Sequence, residues 1–349
     1  MRKPSRTLER PARVIFACVS ALLSSYAQSR PGTESVAQAP LSFALTDPHD
    51  LVLTGGKAEA VEYQGRRAMR LTTEQSSEEV FAFLKGVQIQ DGTIDVDIAL
   101  KTTTPPGVRM PGFAGIAFRV RPDASHYEMF YLRPGNSHAE DQAMRNHSVQ
   151  YVAAPGYDWY TLRREWPWLY ESYAELQPET WQKVKVEVHG RNARLFINGS
   201  PNPSLIVNGL KGEDLQGGIA LWGYAREEAC FSNLRIVPAA PEHVVDGGEA
   251  AGGWDVEFSS DYGKYKGSMD LQREGDLIKG VWSGDFGQSL PVRGTWRHGY
   301  LELTFNGIWP VKQQPATAVL AGWIDGDAAK GRMKVEGRAD GQWTAQRKR

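Results

Sequence analysis

Residues Gly112 to Tyr151 read GFAGIAFRVRPDASHYEMFYLRPGNSHAEDQAMRNHSVQY, and the fold follows from how this stretch alternates. It divides into two antiparallel strands closed by Arg121-Pro122-Asp123-Ala124, a long polar loop, and a third strand. Side chains on a strand point alternately to opposite faces. Ile116, Phe118 and Val120 therefore share an apolar face, and Gly115, Ala117 and Arg119 share the other. On the return strand Phe130 and Leu132 oppose Tyr127, Met129, Tyr131 and Arg133. Pairing Phe118 with Phe130 and Ile116 with Leu132 sets Ala117 and Arg119 beside Met129 and Tyr131. One side of the hairpin is then greasy, while the other carries two guanidinium groups, tyrosines and two very small residues. Small residues beside long polar ones form a shallow trough suited to a ligand. A solvated sheet face with scattered arginines is the plainer alternative.

Outward from that hairpin, the 349 residues are 41% hydrophobic and 23% charged, an ordinary globular composition with room for about two domains. The basic start MRKPSRTLERPAR precedes VIFACVSALLSSYA, an apolar run too short to span a bilayer with ease. It reads as a secretory signal over residues 1–27, cut after Ala27, with Ser25 and Ala27 as the small residues a signal peptidase accepts. Cys18 raises a lipoprotein alternative, against which stand the short apolar run before it and the bulk of Phe16. Losing residues 1–27 removes five basic residues and one acid, so the formal charge of −1 falls by four to −5. An acidic chain with no basic stripe excludes nucleic acid and anionic membrane as expected partners. The expected location is secreted or periplasmic, with no membrane insertion after cleavage. Cys230 alone remains, so no intrachain disulfide staples the fold, and it reads as a buried residue rather than a nucleophile.

Residues 28–40 are a polar, Pro- and Gly-bearing lead-in. From Leu41, short β-branched or aromatic runs separated by turn residues continue to Val237: LSFAL, AVEYQ, AMRLTT, VFAFL, GTIDVDIALK, the central hairpin, KVKVEVHG, ARLFING, SLIVNGL, GGIALWGY and ACFSNLRIV. About a dozen strands with hardly a helix predict a two-sheet jelly-roll sandwich over 41–237. Asp158 caps a short helix within WYTLRREW that Pro167 ends, and Arg163-Arg164 reads as its surface. The Pro- and Gly-rich stretch 238–253 is a linker. Residues 254–347 read as eight short strands joined by tight turns, which predicts a small antiparallel up-and-down β-barrel. Its tryptophans Trp254, Trp282, Trp296, Trp309, Trp323 and Trp343 are expected to fill the interior.

Three constellations bear on chemistry. Asp95 and Asp97 lie on one side of the strand GTIDVDIAL, as paired glycosidase carboxylates do. Family-16 laminarinase-like hydrolases use three acids at alternating positions, and here Ala99 stands at the third, which argues for a solvated strand face. The second constellation, RNHSVQY, brings imidazole, amide and phenol together, the groups that read sugar hydroxyls, with His147 able to serve as acid or base. Regular alternation separates His147 from Gln150 unless the strand starts irregularly. Third, the insertion YDWYTLRREWPWLYESYAELQPETW supplies rings that either pack on one another or wall the trough. No ligand-spaced His, Cys, Asp or Glu cluster appears, so neither metal nor cofactor is expected.

The motifs DGTIDVDIAL, GIAFRV, HYEMFYLRPGNS, HSVQY, PGYDWYTLR, LFING and GGIALWG together resemble the concanavalin A-like lectin/glucanase superfamily. Within it the chain is most similar to bacterial laminin-G-like domains related to the 3-keto-disaccharide hydrolase domain. The resemblance implies a concave sheet facing carbohydrate, lined by Arg119, Tyr131, Arg133, Asn136, His147, Gln150 and Tyr151, with Trp159 nearby. It transfers no catalytic residue, and Phe130 departs from the pattern where those keto-sugar enzymes carry glutamine. The carboxy-terminal hairpins resemble lipocalin-like barrels. The expectation is an exported carbohydrate-binding protein. The alternatives are a glycoside-cleaving hydrolase or lyase with His147 or Glu128 as base, and a structural cell-envelope module that binds protein.

Overall fold

The computed structural model describes residues 39–74, 77–101, 110–212, 216–224, 227–241, 248–297, 299–336 and 339–349. The expected signal segment 1–27, most of the expected lead-in 28–40 and residues 242–247 of the expected linker lie outside the described residues. Among the described residues no helix is long and apolar enough to cross a membrane.

The first fifteen strands are β1 (Leu41–Phe43), β2 (Leu51–Thr54), β3 (Gly56–Tyr63), β4 (Arg66–Thr73), β5 (Glu79–Leu84), β6 (Asp91–Lys101), β7 (Ala114–Val120), β8 (Tyr127–Leu132), β9 (Val149–Ala154), β10 (Glu171–Ser172), β11 (Gln182–His189), β12 (Asn192–Ile197), β13 (Leu205–Asn208), β14 (Gly218–Tyr224) and β15 (Glu228–Ala239). They form an eight-stranded sheet, β13-β12-β11-β6-β15-β4-β3 with β1 on β15, and a seven-stranded sheet, β10-β9-β8-β7-β14-β5-β2. One core joins the two sheets: Ile94, Val96 and Ile98 of β6 share it with Ile116 and Phe118 of β7 and Phe130 of β8. Each such side chain contributes about 1.5–3 kcal/mol by leaving water. That burial is why alternation in the sequence was such a strong signal.

Two bulges in the sandwich sheets break the alternation and redirect side chains. In β15 the register against β6 shifts between Ser232 and Arg235, with Asn233 at φ 52°. The shift lets both Phe231 and Leu234 face the core, although three positions separate them. In β7 the register against β14 shifts between Gly218 and Ala220, opposite Arg119, whose φ is 53°. The bulge turns Arg119 off the face that strict alternation assigns to it.

The central hairpin pairs Ile116 with Phe130 and Phe118 with Glu128, two residues from the expected register. A shift of two preserves faces, so the division into an apolar and a mixed side survives. The loop after β8, expected to be plain, holds two one-turn helices, α1 (Pro134–Ser137) and α2 (Gln142–Arg145). The expected helix in the aromatic insertion is α3 (Trp159–Glu165), and the Asp158 carboxylate accepts from Thr161 N at 2.7 Å as its cap.

The remaining strands are β16 (Gly252–Ser260), β17 (Gly263–Glu274), β18 (Leu277–Gly284), β19 (Gly287–Arg297), β20 (Tyr300–Trp309), β21 (Gln314–Asp325), β22 (Ala328–Val335) and β23 (Ala339–Arg347). They close as a barrel in sequence order. Gly275 and Gly326 open two-residue hairpin loops at φ 63° and 60°, a conformation that side chains disfavour. Trp254, Trp282, Trp309 and Trp343 fill the interior, as the sequence predicts. Trp323 does not: it clusters with Tyr300 and Ala321 on the outer side, and the Arg191 guanidinium lies 3.9 Å over its ring. Its position on β21 is one off the inward parity of Leu320 and Ile324. Its burial comes from the sandwich it packs against.

Candidate functional site

A cavity of about 700 Å³ lies on the outer face of the seven-stranded sheet. Strand pairing sets a transverse row across it: Phe81, Trp222, Gly115, Tyr131, Gln150 and Glu171, on β5, β14, β7, β8, β9 and β10. A Cβ on Gly115 would stand 2.7 Å from Tyr131 Cβ, so only glycine lets the neighbouring rings close over this strand. Tyr131 and Trp222 meet at 5.2 Å, Trp222 stacks on Tyr224 at 5.8 Å, and Phe113 reaches Tyr224 at 5.3 Å. The result is an aromatic floor. The Trp222 indole N–H is buried with no hydrogen-bond partner among the described residues.

A polar wall rises at the end of this row. Arg133 donates to the Tyr131 hydroxyl at 2.6 Å, to the Gln150 side-chain carbonyl at 3.1 Å and to His147 O at 3.1 Å. Asn136 Nδ2 donates to the same His147 carbonyl at 3.1 Å. Glu171, 4% exposed, organises the rest. Arg163 grips it with bonds of 2.9 and 2.6 Å, and Arg133 Nη1 lies 4.0 Å away. His147 Nδ1 is 2.8 Å from Glu171 Oε2 but off the line of a hydrogen bond. Burial holds the imidazole below its ordinary value, with Glu171 pulling it back up, so His147 is neutral near pH 7. Burial raises the Tyr131 phenol, which stays protonated. Trp159 of α3 lines the cavity, and the Arg163 guanidinium sits 4.9 Å over its ring.

The structure thus brings together Tyr131, Arg133, Asn136, His147 and Trp159, with Gln150 fully buried behind Arg133. His147 and Gln150 share this side because β9 begins at Val149, which leaves His147 in the turn before it. Two expected lining residues, Arg119 and Tyr151, and one expected base, Glu128, sit elsewhere. Arg119 is buried in an ion pair with Asp91 at 2.8 Å and donates to Gly190 O at 2.6 Å and Gln90 O at 2.9 Å. The bulge in β7 aims it there. Glu128 and Tyr151 have the parity of Phe130's strand face and point into the sandwich core, where the Tyr151 hydroxyl donates to Glu128 and Gly212 N donates to Glu128 at 3.0 Å. Glu128 is therefore out of reach as a base for anything in the cavity. Asp95 and Asp97 lie on β6 of the other sheet, with Asp97 bound to Arg66 at 2.8 Å and Asn233 at 2.8 Å. Cys230 is free and buried.

Sequence reasoning missed Glu171 and misjudged Arg163. Glu171 belongs to a two-residue strand inside the aromatic insertion, too short to show a period. Arg163 looked like a helix surface because its partner comes from that strand. Barrel residues were missed altogether: Lys334 and Asp340 also line the cavity. Among the described residues, no group of three His, Cys, Asp or Glu side chains could hold a metal ion.

No family model matches the chain, and no curated protein matches it. Solved structures with similar coordinates include a carbohydrate-binding module, CBM66, from Bacillus subtilis, at 13% identity over 52% of this chain and 96% of that one, TM-score 0.36. The exoplasmic/lumenal domain of VIP36, bound to Ca2+ and Man3GlcNAc, is 10% identical over 59% of this chain and 91% of its own, TM-score 0.41. The cellulose-induced protein Cip1 is 12% identical over 57% of this chain and 97% of its own, TM-score 0.38. At these scores the sandwich rests on its strand order and core, and any function rests on the cavity.

Proposed function

We propose that this is an exported carbohydrate-binding protein of concanavalin A-like type, whose ligand enters the cavity on the outer face of the seven-stranded sheet. The observation that carries the reading is the junction of the aromatic floor with the Arg133, Asn136 and His147 wall. Sugar rings offer apolar C–H faces to flat side chains and hydroxyls to fixed donors and acceptors.

The guanidiniums do not make the wall strongly cationic. Arg163 and Arg133 converge on Glu171, so with His147 neutral these three charges leave one net positive. Such a wall supplies oriented hydrogen-bond donors, which suits a densely hydroxylated sugar. A second reading, cleavage of a glycosidic bond, draws on one observation: a neutral imidazole beside a buried carboxylate in the cavity. His147 would be the base, with the Glu171 carboxylate 2.8 Å from its Nδ1 favouring the protonated form.

A printed glycan array separates these readings from the structural-module alternative. Binding without new reducing ends in solution supports recognition, and released reducing ends that vanish in His147→Gln support cleavage. Arg133→Ala that leaves every glycan signal intact in a folded protein refutes both.

A further inference from the structure

The outer face of β20–β23 meets the sandwich along a row set by strand pairing: Glu302, Ala321, Arg332 and Gln342. Three of the four reach across. Glu302 lies 2.7 Å from His126 Nε2 in the turn before β8. Arg332, 3% exposed, is ion-paired with Glu165 at the end of α3, and Gln342 donates to the same carboxylate at 2.9 Å. Burial works to raise the Glu165 carboxyl, and the hydrogen bonds from Arg332 and Arg164 outweigh it, so the group lies below its ordinary value and the contact is ionic. Gly156, at the start of the segment leading into α3, lines the cavity, and a Cβ added there would stand 3.7 Å from Arg332 Cβ. The barrel therefore anchors the helix that carries Trp159 and Arg163.

One row further along the same face, Lys334 pairs in register with Asp340, and both line the cavity. Asp340 accepts from Arg332, which ties the cavity wall to the α3 anchor. Among the described lining residues the cations are Arg133, Arg163 and Lys334, and the acids are Glu78, Glu79, Asp158 and Asp340. Arg163 is already neutralised from behind by Glu171.

We infer that the barrel is a working part of the binding site, with Arg332 a positioning residue for α3 and the Lys334 and Asp340 pair a specificity element that selects neutral over carboxylate-bearing saccharides. The inference rests on the glycan reading above. A lysine beside an aspartate presents donor and acceptor together, matching adjacent hydroxyls. A uronate carboxylate would meet Asp340 on the barrel rim, on the side of the cavity away from the Arg133 wall, and the four described lining acids outnumber the three lining cations.

The test probes one array, printed with uronic-acid oligosaccharides and their carboxyl-reduced neutral counterparts, with full-length wild type, Asp340→Asn, Lys334→Gln, Arg332→Met and Arg332→Lys. Wild type is expected to prefer each neutral member. Asp340→Asn should narrow that preference at least fivefold by gaining uronate signal, and Lys334→Gln should weaken neutral binding severalfold. Arg332→Met should depress all signals and quench or shift the tryptophan emission, with partial rescue in Arg332→Lys. Should Arg332→Met fail to fold, the two rim variants still decide. Unchanged profiles in both rim variants overturn the barrel's role and leave glycan recognition standing. A wild type silent on the whole array overturns both.

Discussion

Arg119→Met should cost this protein stability and leave its ligand recognition alone. Both side chains of the Arg119 and Asp91 pair are at most 1% exposed. Removing the guanidinium takes the counter-ion from the buried Asp91 carboxylate, which also accepts from Gly190 N at 3.0 Å, and takes a donor from Gln90 O and Gly190 O. Breaking a buried pair by deleting one partner costs about 3–5 kcal/mol, and each carbonyl deprived of its donor pulls toward the upper end of that range. Methionine refills much of the stem's volume, so ~4 kcal/mol is the working figure. For a domain of the sandwich's size each kcal/mol lowers Tm by roughly 2–4 °C, which puts the drop at about 8–16 °C. Thermal melts and urea titration measure the loss, and glycan binding is read well below the melting range. A Tm within 2 °C of wild type would refute the reasoning, as would binding abolished in a protein that remains folded.

Glu171→Gln keeps the shape of the hub and removes its charge, so Arg163 and the buried Arg133 lose their shared counter-ion. Stability should fall by about 2–4 kcal/mol, discounted because Arg163 is 32% exposed, and glycan affinity should fall at least tenfold by calorimetric titration. His147 is held below its ordinary value mainly by burial, so the unfolded chain binds more protons than the native one below about pH 6.5. Stability should accordingly decline as pH falls from there toward the folded pKa, and His147→Gln should flatten that limb of a urea-stability profile. Burial pushes the Cys230 thiol up to about 11, with Glu228 adding to the rise, so a disulfide reagent at pH 8 should modify it only as fast as the protein unfolds. Rapid modification of native protein would contradict its burial.

The all-β architecture was legible because alternation is a local signal tied to burial: KVKVEVHG, GIAFRV and the barrel hairpins each show their inward residues within a few positions. The mixed flank of the hairpin was legible for the same reason, and Tyr131 and Arg133 share the cavity wall. Arg119 shows where that logic ends. A bulge depends on the partner strand, some hundred residues away at Gly218 and Ala220, and nothing in RVRP announces it. Glu128 and Tyr151 have core parity, yet their polarity suggested a site, because side chain alone does not tell a satisfied buried pair from a reactive one. Glu171, Lys334 and Asp340 reach the cavity through contacts between distant segments, and an outward-facing barrel residue reads as solvated until its partner surface is known.

The most direct test is the structure of the full chain bound to the oligosaccharide that gives the strongest array signal. The account requires a sugar ring against Tyr131 and Trp222, with hydroxyls within hydrogen-bond distance of Arg133 or Asn136 and the chain passing Lys334 and Asp340. A saccharide bound anywhere else, such as over Asp95 on the opposite sheet, with this cavity empty, would contradict it.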